Sequence, residues 1–143
     1  MELLDYTGKL NSHVDYLKVM NVLKSRTKYI EIVVLDGRKS NDLLNEFKDN
    51  VIFVKKVSKW WNTEIRGTNY LYRLKTSNEL FEYLSRFETF CKYFEADEFC
   101  GYDRCETTDF GIDDIAFYDD CDLPLLCTTT HEGYILIRED LMG

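Results

Sequence analysis

Apolar and polar positions along the chain follow two periods, one near 3.6 residues and one of two. Behind Asn11 or Ser12, both good helix caps, Val14, Leu17 and Met20 or Leu23 share a face, predicting a first helix that runs to about Ser25. Tyr29 to Leu35 (YIEIVVL) is β-branched and apolar, stops at Asp36-Gly37, and reads as a buried strand. Ser40 to about Lys48 predicts a short helix with Leu43, Leu44 and Phe47 inward, and Val51 to Val57 a second strand. The segment between these two strands is long enough for a crossover, which admits a parallel pair. Lys59-Trp60-Trp61-Asn62 then opens a loop containing Gly67, and Tyr70 to Leu74 alternates as a third strand.

The longest periodic segment follows. Thr76 and Glu79 have capping-box spacing, and Leu80, Leu84, Phe87, Cys91 and Phe94 recur at four and three residues, with Tyr83 and Phe90 widening the stripe. One continuous helix over 76–94 is predicted, with Glu82/Arg86 and Glu88/Lys92 pairing on its outer face. Residues 95–111 read as an acidic loop. Beyond it, Ile112–Tyr118, Leu125–Thr130 and Tyr134–Arg138 are short strands joined by Asp119–Pro124 and His131-Glu132-Gly133, a spacing that favours an antiparallel meander. The predicted order is α-β-α-β-β-α-β-β-β. Residues 1–143 are expected to form a single α+β domain, a mostly antiparallel sheet of five to six strands with two to three helices.

Composition supports a packed globule: 45% of the residues are hydrophobic, 15% are aromatic, and there is one proline. The N-terminus has no apolar run of signal-peptide length, and no stretch approaches a membrane span, so a cytoplasmic protein without a membrane partner is expected. Cys91, Cys100, Cys105, Cys121 and Cys127 are odd in number and contain no C-x-x-C pair, which makes free thiols the expectation.

Charge changes the picture more. Residues 1–75 hold 14 Lys/Arg and 9 Asp/Glu, a net +5; residues 76–143 hold 4 and 17, a net −13; the sum is the chain's −8. The segment Glu95–Asp122 alone carries eleven acidic residues against Arg104. Such density repels itself and disfavours a nucleic acid or anionic membrane as direct ligand, whereas a basic protein surface would offset it. Asp97, Glu98, Asp103, Glu106, Asp109, Asp113, Asp114, Asp119 and Asp120 are therefore candidate partner-binding residues. Trp60 and Trp61 join them: adjacent residues of an extended segment point to opposite sides, so either one ring is exposed as a binding anchor or the two cover opposite faces of the sheet.

Catalytic constellations are weaker. Asp113, Asp114, His131 and Glu132 would come together if two hairpins adjoin, and could bind a metal or move protons, yet the Thr-His-Glu-Gly run also fits a hairpin turn and the spacing matches no metal motif. Cys100, Cys105, Cys121, Cys127 and His131 are poorly spaced for zinc, and Asp119-Asp120-Cys121-Asp122 lacks the glycine and terminal glutamate of a calcium loop. The glycines are scattered singly and cradle no phosphate. No cofactor is expected.

In size, acidity and lack of a catalytic motif the chain resembles the small inhibitor proteins of bacteria and phages, immunity and anti-defence proteins among them. This resemblance of type carries no residue roles. It implies a non-enzymatic protein-binding inhibitor; a small metal- or thiol-dependent enzyme using the Asp113/Asp114/His131/Glu132 region is the alternative.

Overall fold

The computed structural model describes residues 2–6, 12–34, 42–60, 63–87, 89–94, 104–107, 114–129 and 134–141. In chain order these form β1 (Leu3–Asp5), α1 (His13–Arg26), β2 (Tyr29–Val34), α2 (Asp42–Glu46), β3 (Val51–Trp60), β4 (Thr63–Lys75), α3 (Asn78–Leu84), β5 (Cys91–Phe94), β6 (Arg104–Thr107), β7 (Asp114–Tyr118), β8 (Pro124–Thr129) and β9 (Tyr134–Arg138). The chain is thus mixed α and β. Its seven-stranded sheet has the order β1-β9-β8-β7-β2-β4-β3, and β5 pairs with β6 in a separate ribbon. Every pairing is antiparallel.

The meander β7-β8-β9 has the predicted form, but four other expectations are corrected. β2 and β3 are not a parallel pair, because β4 lies between them and pairs antiparallel with both. Of the expected loop, Thr63 to Gly67 instead belongs to β4, which begins opposite Trp60 of β3. Leu3–Asp5, too short to stand out by pattern, adds a seventh strand against β9. Part of the expected acidic loop, Arg104–Thr107, is the strand β6.

One face of the sheet is covered by helices. Ile30 and Ile32 of β2, Leu74 of β4, Ile115 and Phe117 of β7 and Ile135 and Ile137 of β9 meet Tyr16, Met20 and Leu23 of α1, Leu43 and Leu44 of α2 and Leu80, Phe81 and Leu84 of α3. Burying a side chain of this size contributes about 1.5–3 kcal/mol. Ser12 caps α1 by accepting from the Asp15 N–H at 3.1 Å. The buried stripe of α1 is Tyr16, Val19, Met20 and Leu23; Val14, expected inward, is 63% exposed.

The helix expected over 76–94 is much shorter. Ser77 caps α3 through its Oγ, which accepts from the Leu80 N–H at 3.2 Å, whereas the Thr76 hydroxyl is directed to the Thr27 and Lys28 carbonyls. At the other end Ser85 donates from both its N–H and its hydroxyl to Phe81 O, and the N–H groups of Arg86 and Phe87 turn back three residues, to Tyr83 O and Leu84 O. That tight turn closes the helix. Beyond it, Thr89-Phe90-Cys91-Lys92-Tyr93-Phe94 is rich in residues that favour strands, and residues 91–94 pair with β6. The apolar stripe nevertheless survives the break: Leu80, Leu84, Phe87 and Phe90 are all buried.

The opposite face is covered by the chain's own hairpin. Between Val57↔Asn69 and Lys59↔Glu64 the β3–β4 register jumps, leaving Ile65 to Thr68 bulged around Gly67, whose φ is 85°. The buried Asn69 amide nitrogen holds the bulge, lying 3.2–3.5 Å from the carbonyls of Val57, Ile65, Arg66 and Gly67. The bend brings Trp60 and Ile65 over Val33, Leu71, Ala116 and Cys127. Trp60 is 3% exposed, and its Nε1–H donates to Thr128 O at 2.7 Å. β2 is therefore buried on both faces, the reason YIEIVVL reads as a nearly unbroken apolar run.

Candidate protein-binding site

The turn from β7 into β8, Asp119 to Leu123, is built around one carboxylate. Asp119 Oδ1 accepts from the N–H groups of Cys121 and Leu123, at 2.9 and 3.0 Å, and Oδ2 accepts from Arg138 Nη1 at 2.9 Å. The backbone closes the same turn through Asp119 N–H to Leu123 O and Asp122 N–H to Asp119 O. Asp122 sits at φ 61°, a left-handed conformation that aspartate tolerates better than most residues. Hydrogen bonding from the Leu123 N–H, then from Arg138 and the Cys121 N–H, holds the Asp119 carboxyl below the ordinary carboxylate range against the opposing effect of burial. The turn is consequently rigid, and it exposes Asp120, Cys121, Asp122 and Leu123, the leucine at 51%.

Arg138 extends this network inward. Its Nε donates to Asp140 Oδ1 and Arg26 Nη2 to Asp140 Oδ2, both at 2.9 Å, so α1, β9 and the acidic turn are tied by alternating charges. The Asp140 carboxyl is lowered by the Arg26 hydrogen bond first and by Arg138 next.

Beside the turn, an open cleft of about 650 Å³ crosses the sheet from Asp122 and Tyr118 over Tyr29, Glu31 and Arg73 to Ile52, Phe53 and Lys55. Arg73 forms its floor. The guanidinium carbon lies 4.4 Å from the Tyr29 ring centre and 5.3 Å from that of Tyr118, Nη1 donates to Glu31 Oε2 at 3.0 Å, and Nη2 donates to Asp122 Oδ1. Burial, then the Glu31 carboxylate with which it shares a hydrogen bond, pushes the Tyr118 hydroxyl well above the usual tyrosine range. The cluster holds the Arg73 charge paired and set against two tyrosine rings.

The structure separates the residues proposed from sequence. Asp120 is exposed as expected, and Asp119 is partly buried and serves the turn. Asp114 is fully buried and Trp60 nearly so, and neither presents a surface for docking. Trp60 covers the sheet face that the alternative reading of the tryptophan pair allowed. Glu106 lies in β6. Asp97, Glu98, Asp103, Asp109, Asp113, Trp61, His131 and Glu132 lie outside the described residues, which leaves Asp114 alone of the proposed catalytic quartet.

Chemistry at the described thiols is unfavourable. Cys127 is free and buried, and burial, with the nearby Asp114 charge adding, pushes its thiol up to about 12. Cys121 is free and exposed, but the Asp120 and Asp119 carboxylates raise it. Neither is activated as a nucleophile. Asp119, Asp120 and Cys121 bring potential metal-ligand atoms within 4.8 Å of one another, yet both Asp119 oxygens already accept hydrogen bonds that hold the turn. Among the described residues no helix is long and apolar enough to cross a membrane.

The cluster around Arg73 went unrecognised in the sequence. Its signal was a lone charge inside each of two apolar strands, Glu31 in YIEIVV and Arg73 in YLYRL. In the register Glu31↔Arg73 the two meet directly across the β2–β4 pair. Comparison with protein-family models, with curated protein sequences and with solved structures returns no match.

Proposed function

We propose that this chain is a non-enzymatic inhibitor, of the immunity or anti-defence type, whose acidic C-terminal half docks on a basic surface of a target protein. A face of the target that otherwise holds nucleic acid is the natural site, since such a face supplies Lys and Arg whatever anion occupies it. The observation that carries the reading is the charge of Glu95–Asp122, eleven carboxylates against one arginine; of the eleven, Asp114 is buried and Asp119 and Asp122 pair with Arg138 and Arg73. The Asp119–Leu123 turn strengthens it. A rigid turn loses little conformational freedom on binding, and Leu123, exposed among carboxylates, is an apolar anchor in the role that buried Trp60 does not fill. Long-range attraction by the acids speeds association, and desolvation of the anchor slows release.

The test starts from the chain immobilised and exposed to an extract of its native host, with the retained protein identified and its activity titrated. The reading expects a basic protein whose activity is abolished at one-to-one stoichiometry, with Leu123→Ala raising the off-rate. Retention of an acidic protein, or of a target whose activity survives saturation, would contradict it.

A further inference from the structure

The outer edge of the sheet beyond β4 is β3, and it is unusual for an edge. Ten residues long, it exposes Ile52 at 46%, Phe53 at 39% and Val54 at 46% in succession, followed by exposed Lys55 and Lys56. Protected edges are short, bent or charged along their length, because a long apolar edge offers unpaired backbone N–H and C=O groups to any strand that arrives. The opposite edge, β1, has only three residues.

The details of β3 describe what would pair there. A register shift at Ile52 puts an extra residue into the strand, and both Ile52 and Phe53 line the cleft, together with Lys55. From Phe53 to Val57 the strand is regular, pairing residue by residue with Arg73 through Asn69. Alternation then assigns Phe53 and Lys55 to the cleft side and Val54 and Lys56 to the other. Each side of the edge thus carries one apolar residue followed by one lysine.

We propose that β3 is a docking edge for an extended acidic segment of a partner protein, which adds antiparallel as an eighth strand. Two acidic residues lie opposite Lys55 and Lys56, and the two apolar residues that follow them lie opposite Phe53 and Val54. Main-chain hydrogen bonds supply affinity, and the cleft beside Phe53 receives an apolar side chain and supplies selectivity. Charge decides the occupant. A second copy paired symmetrically about the regular stretch would set Lys55 against Lys55, and like charges directly opposite destabilise a strand pair. The inference does not depend on docking by the acidic half, since its pairing rests on the basic edge Phe53–Val57, although the cleft that adds selectivity is also lined by Arg73, Tyr118 and Asp122.

The experiment uses the full chain and a labelled octapeptide whose centre is two glutamates followed by two valines, with a control in which lysines replace the glutamates. Fluorescence anisotropy should report binding of the acidic peptide only, and amide exchange at Phe53–Val57 should slow on binding. In Lys55→Glu/Lys56→Glu, two exposed positions whose change leaves the core intact, affinity should fall by at least about tenfold. Methylating alternate backbone nitrogens of the peptide should abolish binding. The proposal is overturned if the lysine peptide binds equally, if exchange at Phe53–Val57 is unchanged, or if sedimentation shows a dimer that already protects those amides without peptide.

Discussion

The two faces of the central sheet solve the same problem differently. On one, three helices drive leucine, isoleucine and aromatic side chains into a continuous apolar layer. On the other, a small apolar cluster under Trp60 and Ile65 gives way to Glu31, Arg73, Tyr29 and Tyr118, and then to an open cleft flanked by the acidic turn and the β3 edge. The difference teaches where to look for function. The helical face is committed to stability, whereas the hairpin face keeps paired charges, rings beside a guanidinium and exposed apolar side chains at its rim, the materials of recognition.

Substitutions can sharpen or break that contrast. Trp60→Ala should have the largest effect, about 3–5 kcal/mol in chemical denaturation, because it opens a cavity on the hairpin face and leaves Thr128 O without its indole donor. A loss below about 1 kcal/mol would mean that the hairpin merely rests on the sheet. On the helical face Leu84→Ala should cost about 2–5 kcal/mol. Arg73→Met should cost about 2 kcal/mol by leaving Glu31 buried without its cation, and Glu31→Gln in the same chain should recover part of it.

Acid should act on the ties around the turn. Asp119 and Asp140 titrate below their unfolded values, so their contribution is complete above the ordinary aspartate range, near pH ~3.9, and is lost as pH falls through the lower folded values. Denaturation midpoints measured from neutral pH downward should therefore fall most steeply below about pH 4, and Asp119→Asn should flatten that decline. Smallest of all, Leu123→Ala should change stability by no more than about 0.5 kcal/mol, as befits an exposed side chain.

Much of the scaffold was legible because local and tertiary preferences agree there. The Ser12 cap, the apolar run of β2 and the β7-β8-β9 meander each carry a local signal that the packing reinforces. The helix over 76–94 was misread because periodicity alone cannot distinguish one helix from a short helix and a tight turn that bury Leu80, Leu84, Phe87 and Phe90 before a strand begins; the weak helix formers after Ser85 held the missing information. The candidate site was legible as charge but not as geometry. Asp119 closes its turn through the nearby Cys121 and Leu123 N–H groups, a role open to any aspartate in a turn, but its tie to Arg138, nineteen residues away, has no local mark. Glu31 and Arg73 likewise become a pair only through the strand register.

The central claim, docking by charge, is tested most directly by the association rate with the captured target as ionic strength is raised. The comparison is between the natural chain and a variant carrying Asp97→Asn, Glu98→Gln, Asp103→Asn, Asp109→Asn and Asp120→Asn. The natural chain should associate fast at low salt and slow steeply as salt rises, and the variant should start slower with a flatter dependence, because screening removes only the attraction that the acids supply. Equal rates for the two chains, with equal indifference to salt, would contradict the account.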